Sequence, residues 1–321
     1  YGREIDYMRI SVTDRCNLRC RYCMPESIDA LGHGEILRYE EILRICRTAS
    51  ELGIRKFKVT GGEPLVRADC VSFIAALKRQ SGTEQVTLTT NGLLLGKNLD
   101  ALAAAGLDGI NISLDSLNAE RYTRTSGHPE GAELLKRIMQ AVEDACAMGL
   151  RTKLNAVLLE ETEEDAPGLA AIAEELPVDV RFIELMPIGF GAAMRRVSPD
   201  DILSALRERW PDLAPTDERR GNGPAHYYKS DLLLGRIGFI DAVSHKFCAD
   251  CNRVRLTSTG QLKPCLCYAD SADLRTLIRG GCTDDELREA LKISIYNKPR
   301  AHCFDTGAAV TERHAMSQIG G

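Results

Sequence analysis

The chain is poor in aromatic residues, 5% of 321 with a single tryptophan, and no apolar run approaches the roughly 18 residues that a membrane-spanning helix needs. No basic-apolar-small segment opens it, so no secretory leader is read. Positive charge is not in excess either. The 41 Lys and Arg against 46 Asp and Glu leave a formal net charge of -5, which argues against a nucleic-acid partner. An anionic ligand must then be met by basic residues gathered locally. No internal repeat at fixed period and no low-complexity tract is present. These absences predict a soluble, cytoplasmic protein with no membrane and no nucleic acid among its partners. Residue 1 is Tyr rather than Met, which predicts a few further natural residues ahead of it. With 44% hydrophobic and 27% charged residues, the chain can bury one large core, with or without an extension.

What is plentiful is cysteine. Twelve are present, unevenly clustered in a long chain, which favours metal or redox chemistry over a disulfide framework. Short β-branched runs alternate with amphipathic helical stretches. Strands are predicted over 5–12, 56–60, 85–90, 109–114, 152–159 and 180–186, with a helix over 39–52 that carries Ile42, Ile45, Ala49 and Leu52 at helical spacing. Six strand-helix alternations predict a parallel sheet with right-handed crossovers. Six units fall short of the eight of a closed barrel, so the expected fold is α/β: an open, partial (βα)6 TIM-type barrel over residues 1–214. After about residue 215, "PTDERRGNGPAHYY" reads as a polar connection. Strand-like "RIGFIDAVS" and a second cysteine group follow, so residues 215–321 form a C-terminal extension.

The unusual residues fall at strand ends in this reading. Cys16, Cys20 and Cys23 follow the first strand, and Gly61, Gly62, Glu63 and Pro64 the second. Thr89, Thr90 and Asn91 end the third, Ser113 and Asp115 the fourth; Asn155 lies in the fifth and Met186 ends the sixth. Ligands of parallel α/β folds bind at carboxyl ends of strands, so one shared site is predicted. Spacing CxxxCxxC lets one loop wrap an iron-sulfur core, with three thiolates on three irons and the fourth iron open. A zinc clip, or three incidental cysteines, would show the same spacing. "GGEP" reads equally as a close backbone approach to a ligand or as a tight turn. Cys248, Cys251, Cys265 and Cys267, taken by themselves, suit a four-thiolate zinc ribbon. Arg253 and Arg255, two apart in a strand, point the same way, as a phosphate clamp requires.

The motifs "CNLRCRYC" and "TGGEP" resemble the radical S-adenosylmethionine (SAM) superfamily. Together with "LTTNG", "NISLDSL", "RFIELMP", "FCADCNRVRLTSTGQLKPCL" and the terminal "GG", they resemble its molybdenum cofactor biosynthesis protein A family, the GTP 3',8-cyclases, through essentially the whole chain. The resemblance implies two [4Fe-4S] clusters and SAM as cofactors, with Cys16, Cys20 and Cys23 on the first cluster and Cys248, Cys251 and Cys265 on the second. The open iron of the first would hold SAM, cleaved on reduction to methionine and a 5'-deoxyadenosyl radical; that of the second would face the purine. It implies Tyr22, Gly62, Glu63, Ser113, Asn155 and Met186 around SAM, and Arg9, Lys58, Thr89, Lys153, Arg253, Val254 and Arg255 around GTP. The tail residues Gly320 and Gly321 would thread into the site, where only residues without side chains fit; an ordinary chain end would instead be disordered.

By the same resemblance the radical removes the C3' hydrogen of GTP, and the carbon radical adds to C8 of guanine. An electron donor of flavodoxin or ferredoxin type and a homodimer are implied as partners. Two residues depart from the family pattern. Lys58 stands where Arg is expected, keeping charge but losing the planar fork. Cys267 stands where an apolar residue is usual, as a core thiol or as a competing ligand. Cys46, Cys70, Cys146, Cys282 and Cys303 read as core packing, and His302 as structural or touching the site. The rival readings are a peptide-modifying radical enzyme with auxiliary clusters, and a zinc-stabilised nucleotide-binding scaffold. Anaerobic purification separates the last from the others: a brown protein with about eight irons is expected, and a colourless zinc protein would overturn the iron-sulfur reading.

Overall fold

The computed structural model describes residues 1–24, 31, 32, 34–269, 271–304 and 310–320. Twelve strands form one sheet among the described residues. In chain order they are β1 (Tyr7–Ser11), β2 (Lys56–Thr60), β3 (Gln85–Thr90), β4 (Gly109–Ser113), β5 (Thr152–Leu158), β6 (Asp179–Glu184), β7 (Ala214–Thr216), β8 (His226–Lys229), β9 (Ile237–Ile240), β10 (Arg253–Leu256), β11 (Gln261–Lys263) and β12 (Ala272–Asp273). The helices are α1 (Tyr39–Glu51), α2 (Cys70–Lys78), α3 (Leu95–Ala104), α4 (Ala119–Ser126), α5 (Gly131–Ala147), α6 (Ala166–Glu175), α7 (Pro199–Arg209), α8 (Leu274–Arg279) and α9 (Asp284–Tyr296). Polar starts set several of them. Ser198 caps α7 ahead of Pro199, and Thr283 with Glu286 closes a capping box on α9.

The strand order is β12-β11-β10-β1-β2-β3-β4-β5-β6-β9-β8-β7, so the sheet is open, with six strand-helix units at its centre. The extension does something the periodicity did not show. It adds one parallel strand at each edge of the six, β10 beside β1 and β9 beside β6, making eight parallel neighbours without closing the ring. Antiparallel hairpin strands then cover both outer edges.

Burial alternates along the strands because their two faces meet different surroundings. In β5, Leu154, Ala156 and Leu158 turn into the apolar layer under the helices, while Lys153, Asn155 and Val157 are only partly covered. The apolar layer is continuous: Ile42, Ile45, Cys46 and Ala49 of α1 share one cluster with Phe57, Val59, Leu88, Ile112, Val180, Phe239 and Val254. Cys46 and Cys70 are buried there, as core packing predicts. Val254 opposes Met8, and both are fully buried. Its side chain therefore faces the core, while Arg253 and Arg255 on either side face the opposite way. Val254→Ala is expected to cost about 2 kcal/mol, a few degrees of Tm, measured by thermal or denaturant unfolding.

Candidate active site

The carboxyl ends of the parallel strands surround an open cavity of about 1820 Å³, its solvent-facing mouth included. Cys16, Cys20 and Cys23 line it, and so do Cys248, Cys251 and Cys265. The six thiols come from loops more than 200 residues apart in sequence, and the sheet order explains why they meet: β10, which follows Cys251, lies directly beside β1, which precedes Cys16.

The first thiol loop is fixed by backbone contacts. Arg19 N and Arg21 N donate to the carbonyls of Ser126 and Thr125, at 2.9 and 3.1 Å, and Cys23 N closes a turn onto Cys20 O at 3.0 Å. Gly62 N donates to Thr13 O at 2.7 Å and Glu63 N to Arg15 O at 2.8 Å. A Cβ on Gly62 would lie 2.3 Å from Arg15 O, so the glycine is required for the loop after β2 to seat against the thiol loop. Gly62 also lines the cavity. Leu18 N and Asn91 Nδ2 donate to Cys16 Sγ, at 3.4 and 3.8 Å, the kind of contact that steadies a ligating sulfur. Burial pushes Cys23 up to about 12 and raises Cys16 and Cys20 as well, so a coordinating cation would favour their thiolate form. Tyr22 Oη donates to Asp115 Oδ2 at 2.9 Å, and burial lifts Asp115 to about 6.

The second trio has the opposite electrostatics at one member. Burial raises Cys251, but the cations Arg253 and Lys298 outweigh it and hold the thiol below its ordinary value. Lys298 is itself buried and donates to Arg253 O at 2.9 Å and Pro264 O at 2.6 Å. Arg3 donates to Cys248 O at 3.0 Å and Pro299 O at 2.7 Å, tying the N-terminal segment to this loop. His302 lines the cavity, stacks on Phe304 at 4.6 Å, and its backbone N donates to Cys248 Sγ at 3.5 Å. Cys267 is fully buried in a small separate apolar cluster and is not among the cavity-lining residues.

Beneath the thiols the barrel interior is cationic. Arg255, Arg9 and Lys58 stand side by side on β10, β1 and β2 in register. Burial pulls Arg9 down to about 10 and Lys58 and Arg255 well below their ordinary values, and the neighbouring guanidiniums push the same way. Arg181 joins them, held by neutral acceptors: Asn155 Oδ1 at 2.6 Å and Asn111 Oδ1 at 2.8 Å. Amides satisfy its donors without cancelling its charge. Among the described residues, Arg253 Nε is buried with no hydrogen-bond partner. Such a cluster is costly unless an anion enters it.

The cavity thus gathers Arg9, Cys16, Cys20, Tyr22, Cys23, Gly62, Thr89, Ser113, Asn155, Met186, Cys248, Cys251, Arg253, Arg255 and Cys265. Others named from sequence stand behind its wall. Glu63 is 1% exposed, pushed by burial to about 7, and accepts from Asn91 N at 2.7 Å, Thr90 Oγ1 at 2.8 Å and Leu65 N at 3.0 Å, stitching the loop after β2 to the end of β3. Lys58 lies deeper in the barrel. Lys153 sits at the start of β5, paired with Asp179 at 3.1 Å and bonded to Tyr227 Oη at 3.1 Å. Val254 faces the core. Arg3, Arg181 and Lys298 escaped sequence reading. Arg181 was hidden in the apolar-looking strand "DVRFIE", where only its alternation with Val180 and Phe182 signals an inward-facing charge.

Of the tail, Gly321 lies outside the described residues. Gly320 has φ +78°, and its carbonyl accepts from Arg255 Nη1 at 2.6 Å. A Cβ there would approach Ser11 Cβ to 3.0 Å. Gly320→Ala is therefore expected to displace Arg255 and to weaken nucleotide binding by about tenfold or more, in line with a charge-assisted bond worth ~1.5–3 kcal/mol, while iron content stays unchanged. Equilibrium binding with GTP on the iron-loaded protein checks it; unaltered affinity would show that the tail is dispensable for the clamp.

Among the described residues no three His, Cys, Asp or Glu side chains converge as a site for a single metal ion. One zinc draws its thiolates to about 2.3 Å from a single centre, whereas an iron-sulfur core takes them on separate irons. Two trios of soft thiols lining one cavity are a donor set that iron-sulfur cores take.

The comparisons agree with this donor set. A model of the radical SAM superfamily matches residues 10–172, and one described as Molybdenum Cofactor Synthesis C matches residues 178–304. A protein of Clostridium perfringens (strain 13 / Type A) named GTP 3',8-cyclase is 40% identical over 323 residues, covering 100% of this chain and 99% of its own. One of the same name from Heliobacterium modesticaldum is 42% identical over 328 residues with the same coverage. The crystal structure of Streptococcus suis SuiB bound to S-adenosylmethionine superposes with a TM-score of 0.65 at 16% identity, over 98% of this chain and 78% of that one, a likeness of fold. The chain belongs to the radical SAM superfamily and, within it, to the family of the GTP 3',8-cyclases.

Proposed function

We propose that the protein converts GTP into (8S)-3',8-cyclo-7,8-dihydroguanosine 5'-triphosphate on the way to the molybdenum cofactor. The observation that carries this reading is one cavity with a thiol trio from each half of the chain and, below them, buried guanidiniums arranged for an anion. When bound, two [4Fe-4S] clusters and SAM supply the one-electron chemistry that opens an unactivated C–H bond. The chain's own residues do the rest. Cys16, Cys20 and Cys23 would hold one cluster, and Cys248, Cys251 and Cys265 the other. Tyr22, Gly62, Ser113, Asn155 and Met186 line the SAM side. Glu63, bonded through both carboxylate oxygens to β3 and its own loop, is proposed to act by positioning that wall.

Arg9, Arg253 and Arg255 take the triphosphate. Lys58 and Lys153 contribute positive field from below, Val254 contributes only its backbone, and Thr89 offers a hydroxyl at the cavity wall. Gly320, bonded to Arg255, orients the clamp, with Gly321 beyond it. Apolar Leu185, Ile188, Ile240 and Phe247 around the rim exclude water, which strengthens the electrostatic contacts inside. Residues 1–214 would then serve mainly radical generation and residues 215–321 mainly the nucleotide, since the second trio and the paired arginines both lie in the latter. Reduction calls for a one-electron donor, of flavodoxin or ferredoxin type. Twelve cysteines, none disulfide-bonded in the structure, suit the reducing cytoplasm. A homodimer is the assembly proposed.

Paired variants test the assignment. Cys16→Ala is expected to abolish 5'-deoxyadenosine formation altogether. Arg253→Ala should retain both clusters and slow SAM cleavage, but raise the KM for GTP about 10- to 100-fold and uncouple cleavage from GTP consumption. Quantifying 5'-deoxyadenosine and cyclised nucleotide together checks both. Residual 5'-deoxyadenosine from the Cys16 variant, or unchanged coupling in the Arg253 variant, would overturn the respective role.

A further inference from the structure

Cys267 and Cys303 take no part in either thiol trio, yet their sulfurs lie 3.0 Å apart. That separation is about 1 Å beyond a disulfide bond of roughly 2.05 Å, so each sulfur need move only about half an ångström. Cys303 N also donates to Cys267 Sγ at 3.4 Å, holding the two backbones close. No other pair of the twelve cysteines shows such a sulfur contact among the described residues. Cys46, Cys70, Cys146 and Cys282 stand singly.

We propose that Cys267 and Cys303 form a reversible disulfide that latches the second cluster site. Cys267 is fully buried and Cys303 half-buried, so Cys303 meets an oxidant first. With a low-molecular-weight disulfide as oxidant, Cys303 sulfur attacks one of its sulfurs. A mixed disulfide forms and one small thiol leaves with the proton. Cys267 sulfur then attacks Cys303 sulfur, the second small thiol departs, and the Cys267–Cys303 bond is made. The protein gives up two electrons and two protons; the small disulfide is reduced to two thiols.

The position of the pair gives the bond its consequence. Cys267 lies two residues after Cys265 in a strap that runs through Tyr268. The strap already touches the C-terminal segments: Tyr268 Oη donates to Ala301 O at 3.1 Å, and Thr311 N donates to Cys267 O at 3.1 Å. Next to it, the buried pair Lys263–Glu312 at 2.5 Å makes the same connection. Cys267 packs with Ile188, Val243, Phe304 and Ile319, and Ile319 immediately precedes Gly320. A covalent bond here fastens the strap that carries Cys265 to the segment that leads into the tail. It does so without consuming a cluster ligand, and it holds the second site together when its cluster has been lost. This rests on the assignment of Cys265 as a ligand, but the bond itself does not.

The test uses the full chain, reconstituted with its iron anaerobically so that the six ligand thiols are protected, then treated with oxidised glutathione. Denaturing alkylation and peptide mass spectrometry should show a Cys267–Cys303 cross-link, loss of two alkylatable thiols, and recovery of both on reduction, with Cys46, Cys70, Cys146 and Cys282 unchanged. Cys303→Ser should lose the cross-link and keep wild-type GTP turnover in the reduced state. After chelation of the iron, the cross-linked wild type should melt several degrees above its reduced form, and Cys303→Ser should show no such gain. Absence of the Cys267–Cys303 peptide, or pairing of these cysteines with others at random, would overturn the disulfide. A cross-link without any gain in melting temperature would overturn the latch. Failure of iron to bind at all would instead count against the cluster assignment.

Discussion

The constraint on which the rest of the structure depends is the crowd of cations inside the barrel. Arg9, Lys58 and Arg255 occupy neighbouring strands at one level, facing the same way, with Arg181 and Arg253 close enough to act on them. A tyrosine hydroxyl and the Cys251 thiol act on them as well. Folding must therefore bring like charges together in a partly dry interior, and the apolar layer under the helices bears that cost. Such an arrangement is useful only where a polyanion completes it. A chain of net negative charge thus gathers cations in one interior place, with its acidic surplus elsewhere.

Thiol placement follows a related logic at the rim. A loop that must offer three sulfurs at fixed positions cannot be left mobile, and here it is pinned from two sides, by the end of α4 and by the loop after β2. The glycine pair shows how local sequence serves this. From the sequence, "GGEP" read equally as a backbone approaching a ligand or as a tight turn; the absent Cβ of Gly62 chiefly makes room for the carbonyl of Arg15. The motif thus packs directly against the loop that carries the first thiol trio. Glu63 extends the same stitching to β3, with both carboxylate oxygens engaged.

Much of this was legible in one sequence. The six central strands were expected within two residues of their observed ends, because their β-branched runs are short and bounded by turn residues. Both thiol trios and the Arg253–Arg255 pair were readable because cysteine spacing and strand alternation are local signals. What escaped is non-local. That β9 and β10 would join opposite edges of one sheet depends on non-local pairing, Val180 with Ile237 and Tyr7 with Arg253. Lys298 follows a helix in a polar stretch, and nothing near it reveals that it turns inward to Cys251. Lys153 shows the converse: its strand position was right, but Asp179, directly opposite in the register, claims its ammonium. Inward direction can be read from parity; the partner waiting there cannot.

The open edge of the sheet is then best understood as part of the site. Closing eight strands into a ring would pack the interior with side chains, as in a complete barrel. Here the ring stays open, the interior keeps room for cofactor and nucleotide, and the chain after β6 returns to line the mouth with Cys248, Cys251, Cys265 and His302. The chain beyond β6 thus brings a second thiol trio, from two separate loops, to the cavity that the first trio lines, which a closed and filled barrel would leave no place for.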